Sequence, residues 1–305
     1  MQIKLLTQIV LSISLLLLSG CADSSSPSKE VLSITKLESN ATRDLTPDVS
    51  EVELLTLAEN NNKFAFTIFS ELRKSSASNV SFSPYSISEA FAIACSGANG
   101  DTKTEIASVF NFDPEDDVKL HKGFNALSLD LNYEDDIYTF ESNNAIWIQR
   151  DYSILPSYLD AIQINYGANV KTLDFINKSE SSRVTINEYV QEKTHGRVEE
   201  ILPDGMITED TRVVLTNTVY FKGTWSTQFD RYDTKDDTFT KENGSTQQVP
   251  FMLRHDASFK YLRQDNYQAI ELPYVGDKSS MLIILPDEGG VFKHSGKYRE
   301  YISKY

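Results

Sequence analysis

Cysteine is scarce in this sequence of 305 residues, which contains only Cys21 and Cys95. Cys21 ends a short apolar segment near the N-terminus, so Cys95 is the single thiol of the remaining chain. One cysteine excludes an intramolecular disulfide, and the folded part of the protein must therefore be stabilised by its core. Cys95 lies in the apolar run of residues 92–95, which predicts a small buried residue rather than a nucleophile.

The apolar segment at the N-terminus is too short to span a bilayer comfortably. Residues 9–18 follow Lys4 and have the length of the apolar core of a signal peptide. Residues 18–20 (Leu-Ser-Gly) directly before Cys21 resemble the lipobox of bacterial lipoproteins, in which the cysteine is lipidated after cleavage. We therefore predict a signal peptide at residues 1–20 and an exported protein that is lipid-anchored to the cell envelope. An ordinary signal peptide with a chance cysteine, which would leave the protein extracellular, is the alternative.

Positive charge is in the minority, since 29 Lys and Arg face 44 Asp and Glu, for a net charge of −15. An acidic surface repels phosphate backbones, so nucleic acid is not an expected partner. Residues 22–52 are rich in Ser, Thr, Asp and Glu without an apolar period, which predicts a flexible tether that continues from Cys21. The rest of the chain, with most of the 16 Phe and 15 Tyr, has enough apolar material for a sizeable core, in one large domain or two medium ones.

The motifs of common enzyme and metal sites are also missing. The sequence has no G-x-S-x-G element, which excludes a hydrolase nucleophile of that type. Its four histidines lie far apart and lack the H-E-x-x-H spacing of zinc ligands. The acidic runs at residues 113–117 and 134–136 do not match a calcium-binding loop. We therefore predict neither an enzyme nor a cofactor or metal site.

Periodicity predicts helices early in the chain and strands late, which favours an α+β fold with mostly antiparallel sheets. Ser83 followed by Pro84 is typical of a helix N-cap and first turn. The spacing of Thr102 and Glu105 predicts a capping box that begins another helix. An amphipathic helix is expected at residues 186–202. Strands are expected at residues 144–148, 170–175, 213–221, 259–262, 268–272 and 281–285.

Several segments resemble, in content and in order, the protease inhibitors known as serpins. The most specific is residues 215–225, which read LTNTVYFKGTW. Residues 79–87 (NVSFSPYSI) resemble the beginning of the serpin body, and residues 192–197 (EKTHGR) the end of the helix that crosses the main serpin sheet. The last matching segment is residues 281–286 (MLIILP), and the resemblance covers about residues 52–290.

The resemblance implies a serpin-like body of helices packed on mostly antiparallel sheets, and an inhibitor without a cofactor. In serpins a protease cleaves an exposed loop, and the loop then inserts into the large sheet as a new strand. The implied partner of a full-length form is a serine protease, or alternatively a cysteine protease. By position, Ser83, Ser86 and Asn217 are expected where the sheet opens, and Trp225 near the top of that opening. The alternative role of these four residues is core packing and helix capping.

After Gly290 the sequence departs from the serpin pattern. Serpins continue there with further helices and strands, a hinge of small residues, the reactive loop and two buried strands, whereas residues 291–305 contain no such hinge. We therefore expect an incomplete serpin-like domain at residues 53–305, without the C-terminal strands or a reactive bond, that does not trap a protease covalently. The leading hypothesis is a surface-anchored serpin-family inhibitor. The alternative is a non-inhibitory surface binding lipoprotein or a decayed serpin fragment.

Overall fold

A computed structural model describes residues 34–75, 79–241, 243–255 and 257–287 of the chain. Within these ranges the fold is α+β, as the sequence predicts. The short strand β1 precedes the first helix, and the other nine strands all follow the fourth helix. The six helices are α1 (Glu51–Ser75), α2 (Pro84–Ser96), α3 (Gly100–Phe110), α4 (Asp117–Leu131), α5 (Pro156–Tyr166) and α6 (Ser179–Lys193).

The strands form three sheets in the described part of the chain. The largest has the order β1-β4-β3-β2, and β5 also pairs with β3; only the β3–β4 pair is parallel. The other sheets are the antiparallel β10-β9-β8 and the hairpin β6-β7. The strands are β1 (Thr35–Lys36), β2 (Tyr133–Glu134), β3 (Tyr138–Gln149), β4 (Asn169–Leu173), β5 (Val213–Gly223), β6 (Lys235–Thr240), β7 (Thr246–Phe251), β8 (Lys260–Arg263), β9 (Tyr267–Pro273) and β10 (Ser280–Pro286).

The N-termini of α2 and α3 test two predictions that were made from local sequence. The predicted N-cap of α2 is confirmed, because Ser83 is extended and its Oγ accepts a hydrogen bond from the backbone of Ser86 at 3.2 Å. The predicted capping box of α3 is wrong. That helix begins at Gly100, two residues before Thr102, and its N-cap residue Asn99 makes no side-chain capping bond.

Helix α6 ends earlier than the sequence predicts. The expected range was residues 186–202, whereas the observed helix begins at Ser179 and ends at Lys193. His195 and Gly196 both have positive φ, at 51° and 73°, which an α-helix cannot accommodate. The chain therefore turns back after α6, and residues 194–212 run as an irregular segment to the start of β5.

Residues 34–50 are attached to the domain, which differs from the flexible tether that we expected for residues 22–52. Thr35 and Lys36 pair with β4 in antiparallel register. The Arg43 guanidinium donates to Asn125 Oδ1 and Ser128 Oγ of α4, each at 3.0 Å. These contacts could not be read from local composition, because they depend on partners far along the chain.

The main sheet separates two apolar clusters. Ile146 and Ile148 of β3 pack with helices α1 to α5, while Ala145 and Trp147 pack with α6. Successive side chains of a strand point to opposite faces, so a strand buried on both faces reads as a continuous apolar run. The predicted burial of residues 144–148 on both sides is confirmed, because every residue of this segment is buried.

The described residues contain no helix that is long and apolar enough to cross a membrane. The predicted signal peptide and the predicted lipidation site Cys21 lie outside the described residues.

Candidate functional site at the edge of the main sheet

The last strand of the main sheet has one paired and one unpaired edge. β5 pairs with β3 in a register of eleven residue pairs, from Tyr138 opposite Gly223 to Ile148 opposite Val213. On its other side, no strand in the described ranges pairs with β5. Such an edge presents a row of backbone N–H and C=O groups that can pair with an added strand.

A cluster of polar side chains connects this edge strand to α2. Asn217, in the middle of β5, donates from Nδ2 to Glu89 Oε2 at 2.7 Å and to Asn144 Oδ1 at 2.8 Å. Its Oδ1 accepts from Ser86 Oγ. The Glu89 carboxylate also accepts from Ser142 Oγ at 2.8 Å and from the hydroxyl of Tyr85 at 3.1 Å. We call these six residues the Glu89 cluster.

The centre of the Glu89 cluster is a fully buried carboxyl group. Glu89 has 0% of its surface exposed, and this burial raises its pKa, while the hydrogen bonds from Ser142, Asn144, Tyr85 and Asn217 act in the opposite direction. A buried carboxylate is costly unless its oxygens accept hydrogen bonds. The hydrogen bonds to the Glu89 carboxyl come from Tyr85 of α2, Ser142 of β3 and Asn217 of β5.

A cation lies close enough to Glu89 to interact with it. Burial lowers the pKa of Arg43, and the negative charge of Glu89 counteracts that lowering. Arg43 also donates hydrogen bonds to Asn125 and Ser128 of α4. Residues 34–50 therefore contribute a positive charge near the Glu89 cluster.

The structure brings together two of the four residues that the resemblance placed at the sheet opening. Ser86 and Asn217 are hydrogen-bonded to each other, whereas Ser83 caps α2. Trp225 lies beyond the end of β5 and is half-buried, with its ring stacked on Tyr274 at a centroid distance of 4.5 Å and an angle of 13°. Their role in sheet opening stays a prediction.

Sequence reasoning missed the residue at the centre of the cluster. Glu89 is the only charged residue of α2, which is otherwise composed of apolar and small polar residues. A single acid in such a helix, three positions after Ser86, was the available signal. Ser142 and Asn144 gave no comparable signal, because their relation to Glu89 depends on where β3 crosses α2.

On the opposite face of the sheet, α6 is fastened to the segment that leads into β5. The Arg183 guanidinium binds Glu180 through two nitrogens, and it also contacts Glu200 at 2.5 Å and Asp204 at 2.7 Å. One turn later, Asn187 Oδ1 accepts from the backbone of residues 201 and 202, and its Nδ2 donates to the carbonyl of residue 202. We call this set of contacts the α6 clamp.

Both clusters consist of hydrogen bonds and ion pairs among groups of the protein itself. No group of three His, Cys, Asp or Glu side chains among the described residues could hold a metal ion. Cys95 is buried, and burial raises the pKa of its thiol, so it carries little thiolate at neutral pH. The predicted character of Cys95 as a small buried residue is confirmed.

Comparison with known proteins shows which family the chain is similar to. A family model described as Serpin (serine protease inhibitor) matches residues 59–299. An uncharacterized serpin-like protein of Methanosarcina acetivorans is 35% identical over 302 residues, which is 99% of this chain and 69% of that protein. A second, from Thermococcus kodakarensis, is 41% identical over 236 residues, or 77% of this chain and 54% of that protein.

The chain is also similar to a named protease inhibitor and to a protein of known structure. Leukocyte elastase inhibitor of Sus scrofa is 35% identical over 233 residues, which is 76% of this chain and 61% of that protein. The structure of ovalbumin from emu has a TM-score of 0.72 and 26% identity, and the likeness covers 81% of this chain and 66% of that one. The chain thus spans from about half to just over two thirds of the length of these relatives.

The matched family is one of protease inhibitors, so the prediction that the chain is not an enzyme is confirmed. The match covers most of the sequence, and the α+β body and the order of its segments agree with it. This chain belongs to the serpin family.

Proposed function

We propose that this chain forms the body of a serine protease inhibitor that, in a full-length form carrying a reactive loop, traps its target by adding a strand beside β5. The observation that carries this proposal is the edge of β5, whose eleven residues pair with β3 on one side and with no described strand on the other. An added strand forms main-chain hydrogen bonds along such an edge. Each bond contributes about 0.5–1.5 kcal/mol net, so a strand paired along the whole edge supplies a substantial driving force.

The strand comes from an exposed loop of the full-length protein after a protease has cleaved it. The serine Oγ of the protease attacks a loop carbonyl, the serine proton passes to the leaving amine as the peptide bond breaks, and the protease remains joined to the loop as an acyl ester. Insertion of the loop beside β5 then carries the attached protease away from its docked position before water hydrolyses the ester. In this mechanism the chain contributes the free edge of β5, to which the loop is added, and no catalytic side chain.

The Glu89 cluster supports the proposal because it lies beside β5, the strand to which the loop would be added. Asn217 holds β5 over α2 through hydrogen bonds to Ser86 and Glu89. We expect neighbouring polar groups to form new hydrogen bonds when a strand shifts, whereas displaced apolar side chains leave cavities. We infer that the cluster permits β5 to move relative to α2 while the buried carboxyl keeps its hydrogen-bond partners.

The export predicted from the N-terminal sequence is part of the proposal. Cleavage before Cys21 and lipidation of its thiol would anchor the protein, since two or three acyl chains bind a membrane far more firmly than one. Detergent partitioning and the intact mass of protein isolated from its native host test this directly. A soluble protein that is cleaved elsewhere and carries no lipid would contradict it.

Trapping is tested with the protein produced from its native gene. We would incubate it with trypsin-, chymotrypsin- and elastase-like proteases and run denaturing gels, with each protease inactivated at its catalytic serine as the control. The expected result is a stable band at the summed mass, formed only by an active protease. If every active protease cleaves the protein without a stable complex, the inhibitor function is contradicted and a non-inhibitory binding protein is favoured.

A further inference from the structure

The sequence contains four Asn-x-Ser/Thr triplets, and none of them has proline in the middle position. They begin at Asn40, Asn79, Asn177 and Asn243. This triplet is the acceptor pattern for N-linked oligosaccharides in exported proteins, where it occurs on surface loops. All four asparagines are exposed, and all four lie outside helices and strands.

The remaining asparagines form an internal comparison. The sequence has 18 asparagines in total, and the ten that are buried or half-buried all lack a Ser or Thr two positions later. Eight are exposed, and the four triplets all fall within this group. The exposed asparagines without the triplet are Asn99, Asn111, Asn169 and Asn266. The acceptor pattern is thus confined to the accessible surface, where a transferase can reach it.

Asn243 is exposed at the tip of the hairpin between β6 and β7. Every residue of β6 is exposed, and so are the turn residues Gly244 and Ser245. Asn243 Oδ1 accepts from the backbone of Ser245 at 3.0 Å and from its hydroxyl at 2.7 Å. Its Nδ2, the atom to which a sugar would be joined, donates no hydrogen bond to another described residue.

We propose that Asn243, together with Asn40, Asn79 and Asn177, is a site of N-glycosylation. The donor is an oligosaccharide carried on a lipid diphosphate outside the cytoplasm, so this inference rests on the export proposed above. A bond forms between Asn Nδ2 and C1 of the first sugar, the bond from C1 to the diphosphate oxygen breaks, and Nδ2 loses a proton. The lipid diphosphate is the leaving group.

A glycan at Asn243 would also protect an exposed hairpin. β6 and β7 pair only with each other among the described strands, and Phe239 on β6 is 49% exposed. Unpaired strand edges with exposed apolar side chains are sites of edge-to-edge association. A bulky, hydrated oligosaccharide at the turn would keep the edges of a second molecule apart.

The test uses the protein isolated from the envelope of its native host and peptide mass spectrometry. We expect the peptide that contains Asn243 to carry an added oligosaccharide mass. Ser245→Ala should abolish the modification while Asn243 is retained. The matched control is Asn99, which is also exposed and followed by glycine but has Asp101 two positions later; its peptide should be unmodified.

The outcomes separate this inference from the export on which it rests. Protein that has lost residues 1–20 but carries unmodified asparagine at all four positions would overturn glycosylation alone. Protein found in the cytoplasm with residues 1–20 still attached would overturn export, and with it glycosylation. An oligosaccharide that persists on Asn243 in the Ser245→Ala protein would show that the triplet is not what directs the modification.

Discussion

The two faces of the β3–β5 pair differ in chemistry although they belong to the same two strands. Toward α2, Asn217 and Asn144 form hydrogen bonds around the buried Glu89 carboxyl. Toward α6, Trp147 is fully buried in an apolar cluster, and its Nε1 donates to Thr216 Oγ1 at 3.1 Å. The polar region on the α2 side lies next to Ile146 and Ile148, which belong to the larger apolar cluster. We call the region around Glu89 the polar face and the region around Trp147 the apolar face.

This difference suggests a division of roles. The apolar face, with the α6 clamp beside it, fixes the sheet through close packing, which tolerates little displacement. The polar face holds β5 through side-chain hydrogen bonds that we expect to re-form when the strand shifts. A sheet that must accept one added strand needs both a rigid part and a part that can rearrange. The following predictions test whether the two faces behave in these two ways.

The largest effect is expected on the apolar face. Trp147→Ala should lower the free energy of unfolding by about 3–5 kcal/mol, because the whole side chain is buried and its loss leaves a cavity. Thermal and urea melts measure this. Trp225→Ala is the matched control, and we expect it to cost less than Trp147→Ala, because Trp225 is half-buried. Equal losses at the two positions would contradict the assignment of the rigid face.

A smaller effect is expected at the α6 clamp. Arg183→Met should cost about 2 kcal/mol, because hydrogen bonds to charged groups are lost but the aliphatic part of the side chain is kept. The loss is limited because the side chains of Glu180, Glu200 and Asp204 are 63%, 55% and 89% exposed and stay hydrated. Limited proteolysis should then cleave residues 194–212 faster. Arg212→Met, at an exposed position, is the control, and equal cleavage rates in the two variants would refute the clamp.

The smallest effect is a pH dependence that belongs to the polar face. Burial raises the pKa of Glu89 above its usual value of 4.5, so just above pH 4.5 the folded state keeps a proton that the unfolded state releases. The free energy of unfolding contributed by Glu89 therefore falls as the pH rises through this range. Glu89→Gln should remove that fall, so the variant gains stability relative to the wild type as the pH increases.

Urea melts at several pH values measure this change, with Glu59→Gln on the exposed surface of α1 as the control. The control should follow the wild type at every pH. A constant difference between Glu89→Gln and the wild type from pH 4 to pH 8 would show that the buried carboxyl does not titrate in this range.

Much of the fold could be predicted because it depends on short-range patterns. The continuous apolar run at residues 144–148 predicts a strand buried on both faces, and Ser83 before Pro84 predicts the start of α2; the structure confirms both. The order of the serpin-like segments predicts the family. The sequence predicts these features because local propensity and burial favour the same structure.

Other features were decided by contacts between distant parts of the chain. The sequence alone predicted six of the ten described strands, the negative net charge and the membership of the serpin family, because each depends on composition, on neighbouring residues or on the order of segments. Only the tertiary structure decided that α6 ends at Lys193, that residues 34–50 bind the domain, and that Glu89 is the centre of a polar cluster. The physical reason is that a hydrogen bond such as that between Glu89 and Asn217 joins residues 128 positions apart, which no local pattern specifies.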